Sequence, residues 1–302
     1  MPNLAGLHAA LPTPFTADGS AIAEDAFADL VRRNIAAGLD GLYVGGSTGE
    51  SFLLSPQERA HSYKVVAAAA AGDCTLIAHV GDINPAVAKE LARAAADAGY
   101  HSVSAVPPFY FGYTFAELKA YYRDLAAETG LPFLIYNIPK LTGVTLTTAQ
   151  IVELLELPHV AGVKNTASDY YALEQIRRAA PDTILLNGFD ETLLAGYAMG
   201  AHGGIGSTYN IQAEKIIGVR DAVRAGDMAR AQTLQGEING LIDALVAAGI
   251  FPAIKYILEL QGVAAGPCRA PFQPLSAEAR RALDQTADTY LSQPARAAAR
   301  AG

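Results

Sequence analysis

Short apolar runs alternate with longer stretches in which apolar residues recur at helical spacing, and this alternation fills the first two-thirds of the 302-residue chain. The runs lie at Gly6–Leu11, Gly41–Val44, Thr75–Val80, Ser102–Val106, Pro132–Tyr136, Val160–Lys164, Thr183–Leu186 and Gly203–Ile205. Runs of this kind, continuous rather than alternating, predict strands covered on both faces, as in a parallel sheet flanked by helices. Their spacing of roughly 20 to 35 residues leaves room for a loop and one helix per unit. Eight βα units in about 220 residues predict a closed (β/α)8 TIM barrel. A doubly wound open sheet is the competing α/β arrangement, but no G-x-G-x-x-G follows the first run.

After the eighth run the texture changes. From Ala213 to Leu283 no further strand is expected, and Ile238, Leu241, Ile242 and Leu245 recur at helical spacing. The expected organisation is a barrel with the active site over residues 1–224 and a C-terminal helical extension over 225–302. The Ala- and Arg-rich tail Ala295–Gly302 is expected to fray.

Composition narrows the function classes. A hydrophobic content of 51% with 17% charged residues supports a sizeable core. A net charge of -8 argues against a nucleic-acid partner, which requires a basic face. It leaves room for an anionic small molecule held by a few local donors. Two cysteines, Cys74 and Cys268, cannot build a disulfide framework and fit a reducing cytoplasm. No apolar stretch reaches the roughly 18 residues of a membrane helix, and the start, Met1–Leu7, lacks a signal-peptide pattern. The expectation is a soluble cytoplasmic protein with no membrane partner.

The chemistry concentrates at the ends of the runs, where barrel active sites are built. Lys164 ends Val160-Ala161-Gly162-Val163, and lysine is almost never fully buried unless paired or put to use. The run Phe133-Leu134-Ile135 ends similarly in Tyr136. An amine and a phenol at neighbouring strand ends are the equipment of Schiff-base chemistry on a carbonyl compound. An ordinary lysine, with a pKa of about 10.4, is only about one part in a thousand free amine near neutral pH. An apolar barrel interior would favour the neutral form. The competing readings are a Lys164 that reaches solvent or pairs with a carboxylate, and a purely structural Tyr136. Lys255, in Ile254-Lys255-Tyr256-Ile257, reads as a solvated helix face.

Other groups fall at the same end. Gly45-Gly46-Ser47-Thr48-Gly49-Glu50 follows the second run, and its glycines let backbone N–H groups converge on an anion while two hydroxyls add donors. A tight strand-to-helix turn is the simpler reading. Asn187-Gly188-Phe189-Asp190-Glu191 places two acids that either bind sugar hydroxyls or cap the following helix, and spacing alone favours capping. Gly203-Gly204-Ile205-Gly206-Ser207-Thr208 forms a further small-residue turn at the same mouth. The six histidines lack metal-site spacing, so no metal is expected, and Ser51 and Ser207 have no nucleophile-elbow context. Cys268, in a Pro-Cys-Arg turn, reads as inert.

Taken in order on a barrel, Gly45–Glu50, Tyr136-Asn137-Ile138-Pro139 and Gly162-Val163-Lys164 resemble the pyruvate-dependent class I aldolases of the dihydrodipicolinate synthase / N-acetylneuraminate lyase family. The resemblance covers essentially the whole chain. Within the family, Tyr43–Glu50, Gly188–Glu191 and Gly204–Asn210 are similar to the lyase branch. Synthases of the family carry an arginine two residues after Tyr-Asn-x-Pro, where it binds a dicarboxylic substrate; here Leu141 stands there. The missing guanidinium removes a partner worth about 1.5–3 kcal/mol per charged hydrogen bond. The adjacent Lys140 is a departure that in principle supplies a compensating charge.

The resemblance implies aldol cleavage of N-acetylneuraminate, a sialic acid, to N-acetylmannosamine and pyruvate through a Schiff base on Lys164, with Tyr136 moving the proton. It implies Ser47 and Thr48 on the carboxylate, Gly188, Asp190, Glu191 and Ser207 on the polyhydroxylated tail, and Thr166 near the reacting centre. It further implies a homotetramer in which Tyr110 comes from a neighbouring subunit, and no cofactor beyond the covalent Schiff base. The alternatives are a 2-keto-3-deoxy sugar acid aldolase, a dehydratase or a dihydrodipicolinate synthase-like enzyme of the same family. A non-catalytic barrel that binds a keto acid is the reading from a different class, and it leaves Lys164 and Tyr136 without a purpose.

Overall fold

The computed structural model describes residues 4–291, so the tail expected to fray at Ala295–Gly302 lies outside the described residues. Eight strands, β1 (Gly6–Ala10), β2 (Gly41–Val44), β3 (Thr75–His79), β4 (Ser102–Ala105), β5 (Phe133–Asn137), β6 (Val160–Asn165), β7 (Ile184–Asn187) and β8 (Gly203–Gly206), pair in sequence order into a closed barrel. All neighbours are parallel, and β8 returns to β1 through Gly6–Gly203 and Leu7–Gly204. The barrel is the TIM fold expected from the runs, whose ends differ from the observed strands by one residue at most.

The helices are α1 (Glu24–Ala36), α2 (Pro56–Ala70), α3 (Pro85–Asp97), α4 (Phe115–Ala126), α5 (Pro139–Thr142), α6 (Thr148–Leu155), α7 (Tyr170–Ala179), α8 (Leu193–Ala198) and α9 (Tyr209–Ala225). Beyond them come α10 (Met228–Ala248), α11 (Ile250–Leu260) and α12 (Ala277–Tyr290). The expectation of one helix per unit fails after β5, where two are found. Pro139, which pre-sets helical φ, starts the one-turn α5, and Gly143 at φ 69° closes it. Thr147 then opens α6 with a capping box to Gln150, a motif worth about 1 kcal/mol.

Strand alternation sorts the core into two layers. Along β5, Phe133 and Ile135 join the large apolar layer between barrel and helices, whereas Leu134 and Tyr136 point inward. Tyr43 and Ile77 belong to the same inner cluster. Ile238, Leu241 and Leu245 of α10 are buried in the outer layer together with Leu7 and Val163 of the barrel. The extension is thus continuous with the barrel's packing. Among the described residues no single helix is long and apolar enough to cross a membrane.

Lys255 corrects the sequence reading. It is buried at 2% exposure, not solvated, because its ammonium meets Glu50 Oε1 at 2.7 Å and donates to the Pro267 carbonyl at 2.9 Å. Its partner lies far away in the sequence, so helical spacing alone carried no sign of the pairing.

Candidate active site

The alternation that turns Val163 outward turns Lys164 into the barrel. Strand pairing sets Tyr136 directly beside Lys164, with Leu186 on the other side. Lys164 is 4% exposed, and its Nζ lies 4.0 Å from the centre of the Tyr136 ring and 4.3 Å from that of Tyr43. The two phenol rings meet edge to face at 6.0 Å. The Tyr43 hydroxyl donates to Ser104 Oγ at 3.1 Å, and burial pushes its pKa far above the usual value. Among the described residues no side-chain hydrogen bond engages the Tyr136 hydroxyl.

His79 completes the aromatic floor, edge-on to Tyr136 at 5.8 Å. Burial, with help from Arg59 and Lys164, holds its pKa well below the usual histidine value. The Val106 N–H donates to Nε2 at 3.3 Å and Nδ1 lies 2.9 Å from the Gly45 carbonyl, which assigns a neutral ring protonated on Nδ1. It is a satisfied structural histidine rather than a proton carrier.

The segment after β2 turns sharply, through Gly45 at φ 73°, into a single 3₁₀ turn, Ser47–Gly49. A Cβ on Gly46 would stand 2.6 Å from the Tyr43 ring, so the close approach requires glycine. The N–H groups of Ser47 and Thr48 precede the turn's first internal hydrogen bond, from Gly49 N to the Gly46 carbonyl at 3.0 Å, and so are left for an acceptor. Thr48 is buried and Ser47 half-buried.

Across the mouth, Thr166 is buried with its hydroxyl unpartnered. A Cβ on Gly188 would fall 1.8 Å from that hydroxyl, so only glycine fits there. Asp190 departs from the expected capping of its own helix. Its Oδ2 accepts the Thr208 N–H at 2.7 Å, at the start of α9 on the next unit. Burial raises its pKa to about 6 against the opposing pull of that hydrogen bond. Gln235 and Asn239 of α10 brace the loop through the carbonyls of Asp190 and Glu191, both at 3.1 Å.

A cavity of about 220 Å³ gathers Ser47, Thr48, Tyr136, Lys164, Thr166, Gly188, Asp190, Glu191 and Ser207 on one wall or another. Tyr110 is the exception: it is 84% exposed on the β4–α4 loop, with its ring against Phe111. The remaining lining includes residues of α10 and α11 to which the sequence assigned no part in the site. Lys140 and Leu141 of α5 stand at the rim, and Ile242, Val246, Ile250 and Phe251 form an apolar wall. That wall is the α10–α11 corner, turned by Gly249 at φ 96°. The glycine between two apolar periodic stretches was a readable sign of a corner, but not of which way the corner faces.

A larger cavity of about 450 Å³ lies beside α11, lined by Phe15, Lys255, Cys268 and Phe272 among others. Its amine is already paired, and burial pushes the Cys268 thiol up to about 12, so neither is a nucleophile at neutral pH. Among the described residues no three His, Cys, Asp or Glu side chains gather as a metal site. The smaller cavity is the one that gathers the candidate groups: an amine in an aromatic cradle, a phenol beside it, the Ser47–Thr48 turn, and two acids.

The sequence model of the Dihydrodipicolinate synthetase family matches residues 3–290. The N-acetylneuraminate lyase of Salmonella typhimurium is 45% identical over 294 residues, 97% of this chain and 99% of its own. Among solved structures, a Clostridium difficile protein in complex with mannosamine superposes with a TM-score of 0.93 at 36% identity, covering 96% of this chain and 100% of that one. The N-acetylneuraminate lyase of Fusobacterium nucleatum complexed with pyruvate gives 0.90 at 39% identity, with 96% and 98% covered.

Proposed function

The chain belongs to the dihydrodipicolinate synthetase family, and within it we propose a lyase that cleaves N-acetylneuraminate to N-acetylmannosamine and pyruvate. The observation that most supports this reading is the single cavity in which Lys164, cradled by Tyr43 and Tyr136, faces the Ser47–Thr48 turn. The position expected to hold a synthase's arginine is Leu141, which lines the same cavity as an apolar side chain.

The open-chain substrate sets its carboxylate on the N–H and hydroxyl groups of Ser47 and Thr48, which brings the C2 ketone to Lys164. The neutral amine adds to C2, the resulting carbinolamine hydroxyl takes up a proton and leaves as water, and a positively charged iminium forms. Tyr136, working with the substrate carboxylate, takes the proton of the C4 hydroxyl. The C3–C4 bond breaks, its electron pair flows into the iminium, and N-acetylmannosamine departs as an aldehyde. The enamine left on Lys164 is protonated at C3, and water at C2 then frees pyruvate and regenerates the amine. Gly188, Asp190, Glu191 and Ser207 hold the polyhydroxylated tail, and Thr166 offers its unpartnered hydroxyl beside the reacting carbons. The iminium is itself the electron sink, so the sequence of steps calls on no metal or organic cofactor.

The same proposal extends to setting. We place the enzyme in carbohydrate metabolism of the cytoplasm, a reading supported by two cysteines that are both free thiols. We further propose a homotetramer; the exposed Tyr110 and Phe111, at 84% and 62%, are the kind of apolar patch that subunit contacts cover. The test of the chemistry is intact mass after incubation with pyruvate and borohydride. One reduced pyruvate on the peptide carrying Lys164 is the expected result; an unmodified, folded protein would overturn the Schiff base.

A further inference from the structure

The 3₁₀ turn Ser47–Gly49 is not held by its own hydrogen bonds alone. It ends on Glu50, which occupies the left-handed region at φ 58° and buries its carboxylate completely. A non-glycine residue in that conformation persists only where its surroundings fix it. Here the surroundings come from the other end of the chain: Lys255 Nζ meets Oε1 at 2.7 Å and the Arg269 N–H donates to Oε2 at 2.8 Å. Lys255 is fixed in turn by the Pro267 carbonyl at 2.9 Å and by the face of Phe15 at 4.2 Å. The Arg269 guanidinium clasps Glu58 of α2 and the carbonyls of Gly19, Ser20 and Leu53. Thr13 holds the carbonyl of Gly49 at 2.8 Å from the remaining side.

We propose that Lys255 is a positioning residue for substrate: through its ion pair with Glu50 it fixes the turn whose Ser47 and Thr48 donors receive the substrate carboxylate. The inference rests on the reading of that turn as the carboxylate site. Lys255 touches no substrate and performs no chemistry; it acts only on where two N–H groups and two hydroxyls stand. Misplacing such donors by about 1 Å costs on the order of a hundredfold, so loosening the anchor has a large effect on a small group.

The experiment is borohydride trapping on Lys164 at graded concentrations of pyruvate, and in parallel of acetone, which offers the same ketone without a carboxylate. The principal variant is the charge-neutral pair Glu50→Gln with Lys255→Met, which leaves no buried charge unpaired. Thr13→Val is the milder second variant, removing one hydrogen bond to the turn. Leu91→Ala, in the buried face of α3, lowers stability without approaching the turn and serves as control. The expected result is a half-saturating pyruvate concentration raised about ten- to a hundredfold in the paired variant and less in Thr13→Val. Acetone trapping stays at the wild-type level in both, and Leu91→Ala changes neither. Unchanged half-saturation for pyruvate in both turn variants overturns the positioning role while leaving the Schiff base intact. An equal loss for pyruvate and acetone also overturns it, because the anchor would then act on the whole site. A wild-type protein that is not trapped by pyruvate at all overturns the carboxylate reading and this inference together.

Discussion

Two lysines are buried in this molecule, Lys164 at 4% exposure and Lys255 at 2%, and both lie about 4 Å from an aromatic face. Their surroundings differ in what meets the nitrogen. Lys255 has a carboxylate at 2.7 Å and a carbonyl at 2.9 Å, and those two acceptors hold its nitrogen in one geometry, although burial pulls its pKa below the usual lysine value. Lys164 has the faces of Tyr136 and Tyr43 and an open cavity ahead. An amine with acceptors around it is a fastener; an amine with only ring faces beside it and space in front is open to a substrate carbon. Burial alone distinguishes nothing.

The sharpest way to break the comparison is to remove each nitrogen's role in turn. Lys164→Ala should lower turnover on N-acetylneuraminate by at least about 10³-fold while circular dichroism and thermal unfolding still report a folded barrel. Appreciable residual turnover would return Lys164 to the same category as Lys255. Glu50→Gln is the counterpart: it strands the Lys255 ammonium in the interior and should destabilise the fold by about 3–5 kcal/mol in denaturant unfolding. A loss below about 1 kcal/mol would show that the pair is not the structural clasp its geometry describes.

Tyr136→Phe keeps the ring over Lys164 and deletes only the hydroxyl. It should cut turnover by about 10²-fold, within the range for a proton-transfer group, while borohydride still traps pyruvate on Lys164. Loss of trapping would assign the phenol to building the Schiff base rather than to the later proton transfer.

The smallest expected effect is on Asp190. Its folded pKa of about 6 lies above the ordinary 3.8, so the fold prefers the protonated acid. That contribution to stability is fully present below the unfolded pKa, fades as pH rises through about 6, and is gone at neutral pH. The difference is on the order of 3 kcal/mol at 1.36 kcal/mol per pKa unit. Asp190→Asn, which can still accept from Thr208, should therefore raise stability at pH 8 by up to that amount and by about half as much at pH 5, between the two pKa values. It should also raise KM for the sugar acid. Melting curves at the two pH values, with kinetics at pH 8, test both; equal Tm shifts at the two pH values would show that the titration does not act on the fold.

The sequence disclosed what depends on local pattern. Strands showed because continuous apolar runs bounded by small and polar residues have few other interpretations, and Lys164 and Tyr136 showed because their polar ends interrupt such runs. Lys255 did not, although it is the more deeply buried, because its neighbours repeat at helical spacing and a lysine there reads as exposed. Its burial is decided by Glu50, brought near by the closed barrel, and by a segment in which Arg269 lies 219 residues from the carboxylate it touches. The apolar wall of Ile242, Val246, Ile250 and Phe251 was hidden for a similar reason, since residues facing a cavity and residues facing a core look alike along the chain. Asp190 shows a third kind of gap. An acid near a helix start reads as that helix's cap, and only the barrel's closure hands it to the helix of the next unit instead.

The fastening of Glu50 by Lys255 and Arg269 also sets an order of events when the chain is made. The last strand is complete at Gly206, but the clasp on the turn after the second strand waits for residues up to Arg269. At about 5–20 residues per second a ribosome takes several seconds to cover that interval. During it the nascent barrel carries its lysine and tyrosine before the turn facing them has been locked, so the site matures only after the strands that bear its chemistry have all been made.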